Sequence, residues 1–276
     1  MTDILSHLKK HIAKWRLALD GAPFETHSSW LALVTHRGKP ALLKVYKPKS
    51  DEGRGVATLL HWGRPAVRVL EHDEAAVIVE RAVPGTTLVD MVAHDDDGAT
   101  NIWCDTVLAL HDRPAPEGFA TLWDCGRSFN KPWPRNAVLT QDLFERGKAA
   151  YFELCETQNA RRFLLHTDLH HANVLKDDTL GWLVIDPKGY AGEIEFETAS
   201  FLHNPTREYC APKHLARRVR IVAERLTLDP ERLLRWVFAH GVLAALWSVE
   251  MPVFDPIGGV EAANAALAVL GHKTGS

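Results

Sequence analysis

One stretch of this chain concentrates residues whose types and spacing suit phosphoryl transfer. It runs His166-Thr167-Asp168-Leu169-His170-His171-Ala172-Asn173-Val174-Leu175 and, after residues 176–181, Trp182-Leu183-Val184-Ile185-Asp186. Two short apolar runs flank a polar turn, Asp177-Asp178-Thr179-Leu180-Gly181, rich in Asp and closed by Gly, which is a hairpin signal. Pairing Val174 with Ile185 would set Asn173 opposite Asp186 at the open end, where directly opposed Cβ atoms lie about 4.5–5.5 Å apart. An amide oxygen and a carboxylate at that separation suit Mg²⁺, which takes a few hard oxygen ligands and fills its octahedron with water and substrate phosphates. Asp168 sits on the loop entering the hairpin, within reach of a substrate hydroxyl. In phosphoryl transfer one Asp orients the attacking hydroxyl and accepts its proton, while an Asn and a second Asp hold metal. The Asp-x4-Asn spacing and the later Asp reproduce that division of labour.

The histidines around this motif admit two readings. His166, His170 and His171 form, with Asp168, an H-x-D-x-H-H pattern similar to a metallohydrolase cluster. A zinc site needs three or four protein ligands, and no further His or Cys stands at motif spacing. That reading also leaves Asn173 and Asp186 without a role. The histidines are therefore expected to pack and to hydrogen-bond the loop, His166 above all.

The rest of the chain must supply the elements that position these groups. Its 276 residues accommodate one large domain or two lobes, and 46% hydrophobic residues with nine Trp provide ample core. Lys plus Arg number 32 against 35 Asp plus Glu, a balance that argues against nucleic acid as a partner, since phosphate contacts need a basic surface. Cys104, Cys125, Cys155 and Cys210 are scattered with no CxxC pair. The start lacks the apolar core of a signal peptide, and the run around Gly241–Trp247 is too short to span a bilayer. A cytoplasmic, reduced protein with no membrane association and no obligate protein partner is expected.

Residues 3–19 place Ile4, Leu5, Leu8, Ile12, Trp15 and Leu19 at helical spacing, predicting an amphipathic first helix. Apolar runs at Trp30–Thr35 and Ala41–Tyr46 flank the turn-rich His36–Pro40, a hairpin signal. A helix over Glu52–Trp62 follows, then short strands at Ala66–Leu70 and Ala75–Glu80. Beyond Arg81–Gly85 helical periodicity dominates, at 87–94, 101–113, 138–157, 212–227, 230–249 and 258–270, interrupted by the strands around 173–186. The acidic run Asp95-Asp96-Asp97-Gly98 reads as a solvated loop. The expected architecture is α+β and bilobal: a small antiparallel-sheet N-lobe over residues 1–82 and a larger, mainly helical C-lobe over 83–276.

Residues 166–175 (HTDLHHANVL) with 182–189 (WLVIDPKG) resemble the aminoglycoside phosphotransferase superfamily, in particular its streptomycin 6-phosphotransferase and hydroxyurea phosphotransferase branch. Further similar segments are 66–70, 79–85, 201–205 and 247–250, so the likeness runs from about residue 24 to 270. It implies a protein-kinase-like fold and Mg²⁺-assisted transfer of the γ-phosphate of ATP to a hydroxyl of a small molecule, most simply an aminoglycoside such as streptomycin. Asp168 then corresponds to the catalytic base and Asn173 with Asp186 to the metal ligands. Lys44 corresponds to the strand lysine that contacts the α/β-phosphates, with Lys47 close by as the alternative. Glu52 is the chosen helix carboxylate for pairing with Lys44, and Asp51 is the alternative. Thr26-His27-Ser28-Ser29 occupies the place of the phosphate-covering loop without its glycine pattern, so that Ser28 and Ser29 would serve through hydroxyls and backbone N–H groups. Glu80 and Ala82 fall where a hinge would offer its backbone to adenine. The loop reads HTD, without an Arg beside the base to receive an activating phosphate, so a constitutive enzyme is expected. On the acceptor side, Trp247, Glu250 and Asp255 suit a cationic sugar by stacking and charge pairing. Lys188 either meets a phosphate or faces solvent, and Glu197 is expected to brace the catalytic loop. The other readings of the same residues are a metabolic kinase for a sugar, choline or amino-acid hydroxyl, and a nucleotide-binding pseudokinase.

Overall fold

A computed structural model describes residues 4–48, 53–158, 161–251 and 255–273. Along the chain run α1 (Ile4–Lys14), β1 (Ala18–Leu19), β2 (Phe24–Glu25), β3 (Ser29–His36), β4 (Lys39–Tyr46), α2 (Gly53–His61), β5 (Val69–His72), β6 (Ala76–Glu80) and β7 (Pro84–Thr87). There follow α3 (Val89–Val92), α4 (Asp96–Leu110), α5 (Leu122–Cys125), α6 (Gln141–Glu156), β8 (Phe163–Leu165), β9 (Val174–Asp177), β10 (Gly181–Val184) and β11 (Tyr190–Gly192). The chain closes with α7 (Ile194–Leu202), α8 (Pro212–Leu226), α9 (Pro230–Glu250) and α10 (Ile257–Lys273). It divides into two compact units, one comprising Met1–Thr86 with Leu175–Lys188, the other Thr87–Val174 with Gly189–Ser276. The fold is α+β, an antiparallel-sheet N-terminal region followed by a helical C-terminal region.

The first unit is built on an antiparallel sheet in the order β1-β3-β4-β6-β5, with β2 also on β3. The β3–β4 hairpin turns through Arg37 (φ 50°) and Gly38 (φ 77°), two left-handed residues whose backbone twist matches the flanking strands. Strand alternation then sorts the side chains. Ala32 and Val34 of β3, Ala41, Leu43 and Val45 of β4, and Ala76 and Ile78 of β6 form a core with Leu8 of α1 and Leu17. Lys44 lies between Leu43 and Val45, so it projects from the other face. Arg16, at φ 53°, ends α1, and Leu17 N–H donates to the Ile12 carbonyl. The expected helix over 3–19 therefore stops at Lys14; Leu19, which matched its period, pairs in β1 with Val34. The strand expected at Ala66–Leu70 starts only at Val69, Ala66 making an isolated bridge to Val184.

β9 and β10 form the expected hairpin, and β7 adds a third strand that the helical pattern did not announce. Asp177 pins it: Oδ2 accepts from Val83 N–H at 3.0 Å, while Oδ1 accepts from Thr179 N–H, Thr179 Oγ1–H and Leu180 N–H at 2.8–2.9 Å. Those donors stabilise the ionised carboxylate and hold it down to about 2.

In the second unit α9 runs through the core, with Leu233, Leu234, Trp236, Val237, Val242, Leu243 and Leu246 buried. Among the described residues it is a helix long and apolar enough to cross a bilayer, and two thirds of its apolar window is buried within the protein. α9 and α10 approach closely at Gly241, where a Cβ would sit 2.7 Å from the Gly259 carbonyl oxygen. Several elements here were not expected, α5, β8, β11 and α7 among them. β8 is three residues long and pairs with β11, and α7 is buried over Glu195–Leu202. A helix buried all round shows no amphipathic period, and a three-residue strand shows no alternation.

The acidic run is not a loop. Asp95 caps α4, accepting from Gly98 N–H at 2.8 Å, and Asp96 and Asp97 form its first turn. Acidic groups at a helix N-terminus are favoured by the helix dipole, and Asp96 has a second task. Arg218 of α8, fully buried, donates through Nε and Nη2 to Asp96 at 2.9 and 2.5 Å. Removing one partner of a buried pair strands the other charge. Asp96→Ala is accordingly expected to cost about 3–5 kcal/mol in urea denaturation, whereas Asp97→Ala, which removes the exposed partner of Arg217, shifts the urea midpoint far less. Equal shifts for the two variants would refute this account.

Candidate active site

In the first unit the chemistry gathers at Asp186, just past the end of β10, with a left-handed backbone (φ 57°). Non-glycine residues rarely hold that conformation, and it clusters at functional sites. Lys44 Nζ donates to Asp186 Oδ1 at 2.5 Å and Lys188 Nζ to Oδ2 at 3.1 Å. Burial alone would raise this carboxyl, but the two ammonium groups overcome it and hold the pKa below the ordinary carboxylate range. Lys47, the alternative to Lys44, is engaged elsewhere: its ammonium meets Glu25 Oε2 at 2.9 Å and the Thr26 carbonyl at 2.6 Å. Glu52 and Asp51, the carboxylates considered for Lys44, lie outside the described residues, and the carboxylate seen on Lys44 is Asp186.

The segment in place of a phosphate-covering loop is a tight turn between β2 and β3. Thr26 N–H donates to the Ser29 carbonyl at 2.8 Å, and Ser29 N–H to Thr26 Oγ1 at 3.2 Å. Ser29 is fully buried and Ser28 half-buried. The Glu80 side chain takes a two-pronged contact from Arg64, at 2.7 and 2.9 Å, and another from Arg68. Ala82 is buried, beside the Val83 N–H that Asp177 holds.

In the second unit β8 leads directly into the 166–173 loop, whose backbone is tied at every step. Asp168 N–H donates to His166 Nδ1 at 3.2 Å, His170 N–H to the Asp168 carbonyl at 2.8 Å, and Asn173 N–H to the His170 carbonyl at 3.0 Å. Asn173 Nδ2 donates to the Asp168 carbonyl at 2.8 Å, so its Oδ1 is the atom left to meet a ligand. Trp103 Nε1 donates to the Leu169 carbonyl at 2.7 Å. The Asp168 carboxylate itself is 42% exposed, with His170 Nε2 at 3.7 Å from Oδ1. His170 Nδ1 accepts from Ala172 N–H at 3.2 Å, which places the proton of the neutral ring on Nε2, facing Asp168.

The three loop histidines thus have separate duties, none resembling a shared metal site. His166 is fully buried under the loop. His171 stacks on Phe201 with centroids 4.2 Å apart, neither ring nitrogen finding a partner among the described residues. Burial, with Arg218 and His170 adding, pushes it down to about 2, so it is neutral. Hard oxygen donors remain: the ionised Asp186 carboxylate and Asn173 Oδ1, each of the kind Mg²⁺ accepts.

Glu197 braces this loop. Its Oε2 accepts from Thr167 N–H at 3.1 Å and so holds Thr167 at φ 62°, the residue before the candidate base. Burial raises its carboxyl to about 8 against the pull of the Thr167 and His166 N–H groups, with the charge of Asp168 adding.

On the acceptor side each member of the expected trio has its own partners. Asp255 caps α10, accepting from Ile257 N–H at 2.9 Å. Glu250 accepts from Ser128 Oγ at 3.0 Å and Lys131 Nζ at 2.9 Å. Trp247 lies edge-on to His240, centroids 6.0 Å apart, and His240 Nδ1 is 3.3 Å from His203 Nε2. His203 is held neutral, at about 4, by burial and the nearby His170; burial and His203 bring His240 to about 3. Trp247, His240 and His203 therefore form a row of rings, whose last member feels the charge of His170. His203 and His240 were missed as site neighbours; the only signal was the 201–205 segment, and only through its resemblance.

Comparison with known proteins places these features. A family model described as aminoglycoside/hydroxyurea antibiotic resistance kinase matches residues 14–251. A streptomycin 3''-kinase of Klebsiella pneumoniae is 35% identical over 253 residues, covering 86% of this chain and 90% of that protein. A streptomycin 6-kinase of Streptomyces glaucescens is 30% identical over 274 residues, covering 94% and 87%. Among solved structures, a thermostable aminoglycoside phosphotransferase in ternary complex with ADP and hygromycin B superposes with a TM-score of 0.69 at 18% identity, over 98% of this chain and all of that one. That likeness establishes the fold.

The loop brace generates a pH dependence. A carboxyl whose folded pKa is raised contributes fully below its unfolded value and loses that contribution as pH rises through the folded value. With 4.5 as the ordinary value and about 8 in the fold, stability falls between those limits by up to about 1.4 kcal/mol per pH unit. Glu197→Gln keeps an acceptor for Thr167 and removes the proton, so its urea stability is expected to be flatter than wild type between pH 5 and 8. An unchanged slope would show that Glu197 does not hold its proton in the fold.

Proposed function

The chain belongs to the aminoglycoside/hydroxyurea antibiotic resistance kinase family, and from that premise we propose that it transfers the γ-phosphate of ATP to a hydroxyl of a streptomycin-type aminoglycoside. It is a phosphotransferase acting on hydroxyl groups, and the proposed outcome is antibiotic inactivation in the cytoplasm, where ATP and Mg²⁺ are at hand. The observation that carries the reading is the Asp168 carboxylate, exposed on a loop whose backbone is tied at every residue around it.

Asp168 orients the acceptor hydroxyl and takes its proton as the oxygen attacks the γ-phosphorus. The bond from that phosphorus to the β–γ bridging oxygen breaks, and its electron pair leaves with ADP. His170 Nε2 faces the carboxylate at 3.7 Å. Lys44, on the rigid central strand β4, offsets phosphate charge at little ordering cost. Asn173 Oδ1 and the Asp186 carboxylate, both hard oxygen donors, would hold Mg²⁺, which would supply neutralisation of the charge developing on the phosphates. The backbone of residues 80–82 is assigned to adenine, and Trp247, beside the histidine row, to the acceptor. Glu250 and Asp255 already hold structural partners, which leaves Trp247 the better supported of the three.

Streptomycin is expected to stimulate ADP production by the purified protein in the presence of Mg²⁺, and chelation to abolish it. Asp168→Ala is expected to lower kcat by about a hundred- to ten-thousandfold with ATP affinity retained. Unchanged turnover in that variant would remove Asp168 from the mechanism, and turnover stimulated by sugars or choline instead of streptomycin would assign a metabolic kinase. The named relatives act at 3'' and at 6, so NMR of the phosphorylated product identifies the ring position.

A further inference from the structure

We infer that Lys188 is a second phosphate-binding lysine, which meets the nucleotide's polyphosphate alongside Lys44 and stands in for the missing glycine loop; the inference rests on the kinase reading above. Two ammonium groups converge on one carboxylate, Lys44 on Asp186 Oδ1 at 2.5 Å and Lys188 on Oδ2 at 3.1 Å. Any cation that takes Asp186 as a ligand repels both ammonium groups, and the phosphates that accompany such a cation are the strongest nearby acceptors for the displaced lysine.

The backbone that carries Lys188 is fixed rather than loose. Arg54 Nε of α2 donates to the Lys188 carbonyl at 3.4 Å. Gly55 lets α2 lie directly against the Pro187 carbonyl, where a Cβ would collide, and Gly189 turns the chain away at φ 76°. Pro187 restricts the residue before Lys188. A side chain rising from a pinned backbone loses less freedom on binding than one on a mobile loop. The Lys188 side chain is about one third exposed.

The Thr26–Ser29 turn lacks the glycine pattern of a phosphate-covering loop; its Thr26 and Ser29 N–H groups bond within the turn, and Ser29 is buried. Lys47, the other lysine near this turn, is spent on Glu25 and the Thr26 carbonyl. Lys188 is the cation placed beside Asp186 to supply what that turn does not.

The test compares wild type, Lys188→Met and Lys188→Arg by calorimetric titration with ATP, ADP and adenosine, each with and without Mg²⁺. Lys188→Met is expected to weaken ATP and ADP roughly ten- to hundredfold, the loss of one charge-assisted contact, and to leave adenosine within twofold. Lys188→Arg is expected to restore most of the loss, and circular dichroism with thermal unfolding checks that both variants fold. ATP and ADP affinities within twofold of wild type in a folded Lys188→Met would overturn the assignment and leave the kinase reading intact. An equal loss for adenosine would also overturn it, because the effect would then not be on phosphate. A wild-type protein that binds no ATP would sink the kinase reading itself.

Discussion

A carboxylate inside a protein stays ionised only where nearby cations offset its desolvation, and the Lys44–Asp186–Lys188 cluster meets that constraint. Burial pushes Asp186 toward its neutral form, and two ammonium groups, one from the central strand β4 and one from the turn after β10, reverse the effect. Much of the first unit serves this arrangement. α1 packs on one face of the sheet, so β4 can offer a charged residue from the other. Gly55 and Arg54 seat α2 on the Pro187–Lys188 backbone. Asp177 accepts four hydrogen bonds around the hairpin that delivers Asp186.

The second unit solves a related problem by opposite means. The loop of Asp168 is held through backbone groups while its carboxylate remains partly exposed. The supports are buried, neutral and largely aromatic: Trp103 on Leu169, Phe201 under His171, and a protonated Glu197 on Thr167. Arg218 is the one full charge in this foundation, paired with Asp96 and lying over the Phe201 ring. Neutral supports leave the field at Asp168 to the groups meant to act on it.

The kinase motif was legible because its members are close in sequence and each has a fixed chemical type. The β3–β4 hairpin and the long amphipathic helices were legible for a related reason, since turn residues and hydrophobic period are local signals. Where the reading failed, a tertiary partner had overridden the local pattern. The run Asp95–Gly98 reads as solvated because nothing nearby shows that Arg218, far along the chain, will be buried against Asp96. α7 left no period because it is buried on all sides. The Ser128 and Lys131 partners of Glu250 are likewise visible only in the fold.

By itself, then, the sequence pointed to the reaction class, a phosphotransferase acting on hydroxyl groups, through the residue types and spacing of the 166–186 motif. It also determined the sheet-then-helix order, which follows from hydrophobic periods of two and 3.6 residues. Only the tertiary structure decided which lysines meet Asp186, which histidines are scaffold, and that His203 and His240 form a row of rings with Trp247. Those outcomes depend on contacts between residues distant in the chain and on how far burial shifts each titratable group, and neither is written in any local stretch of residues.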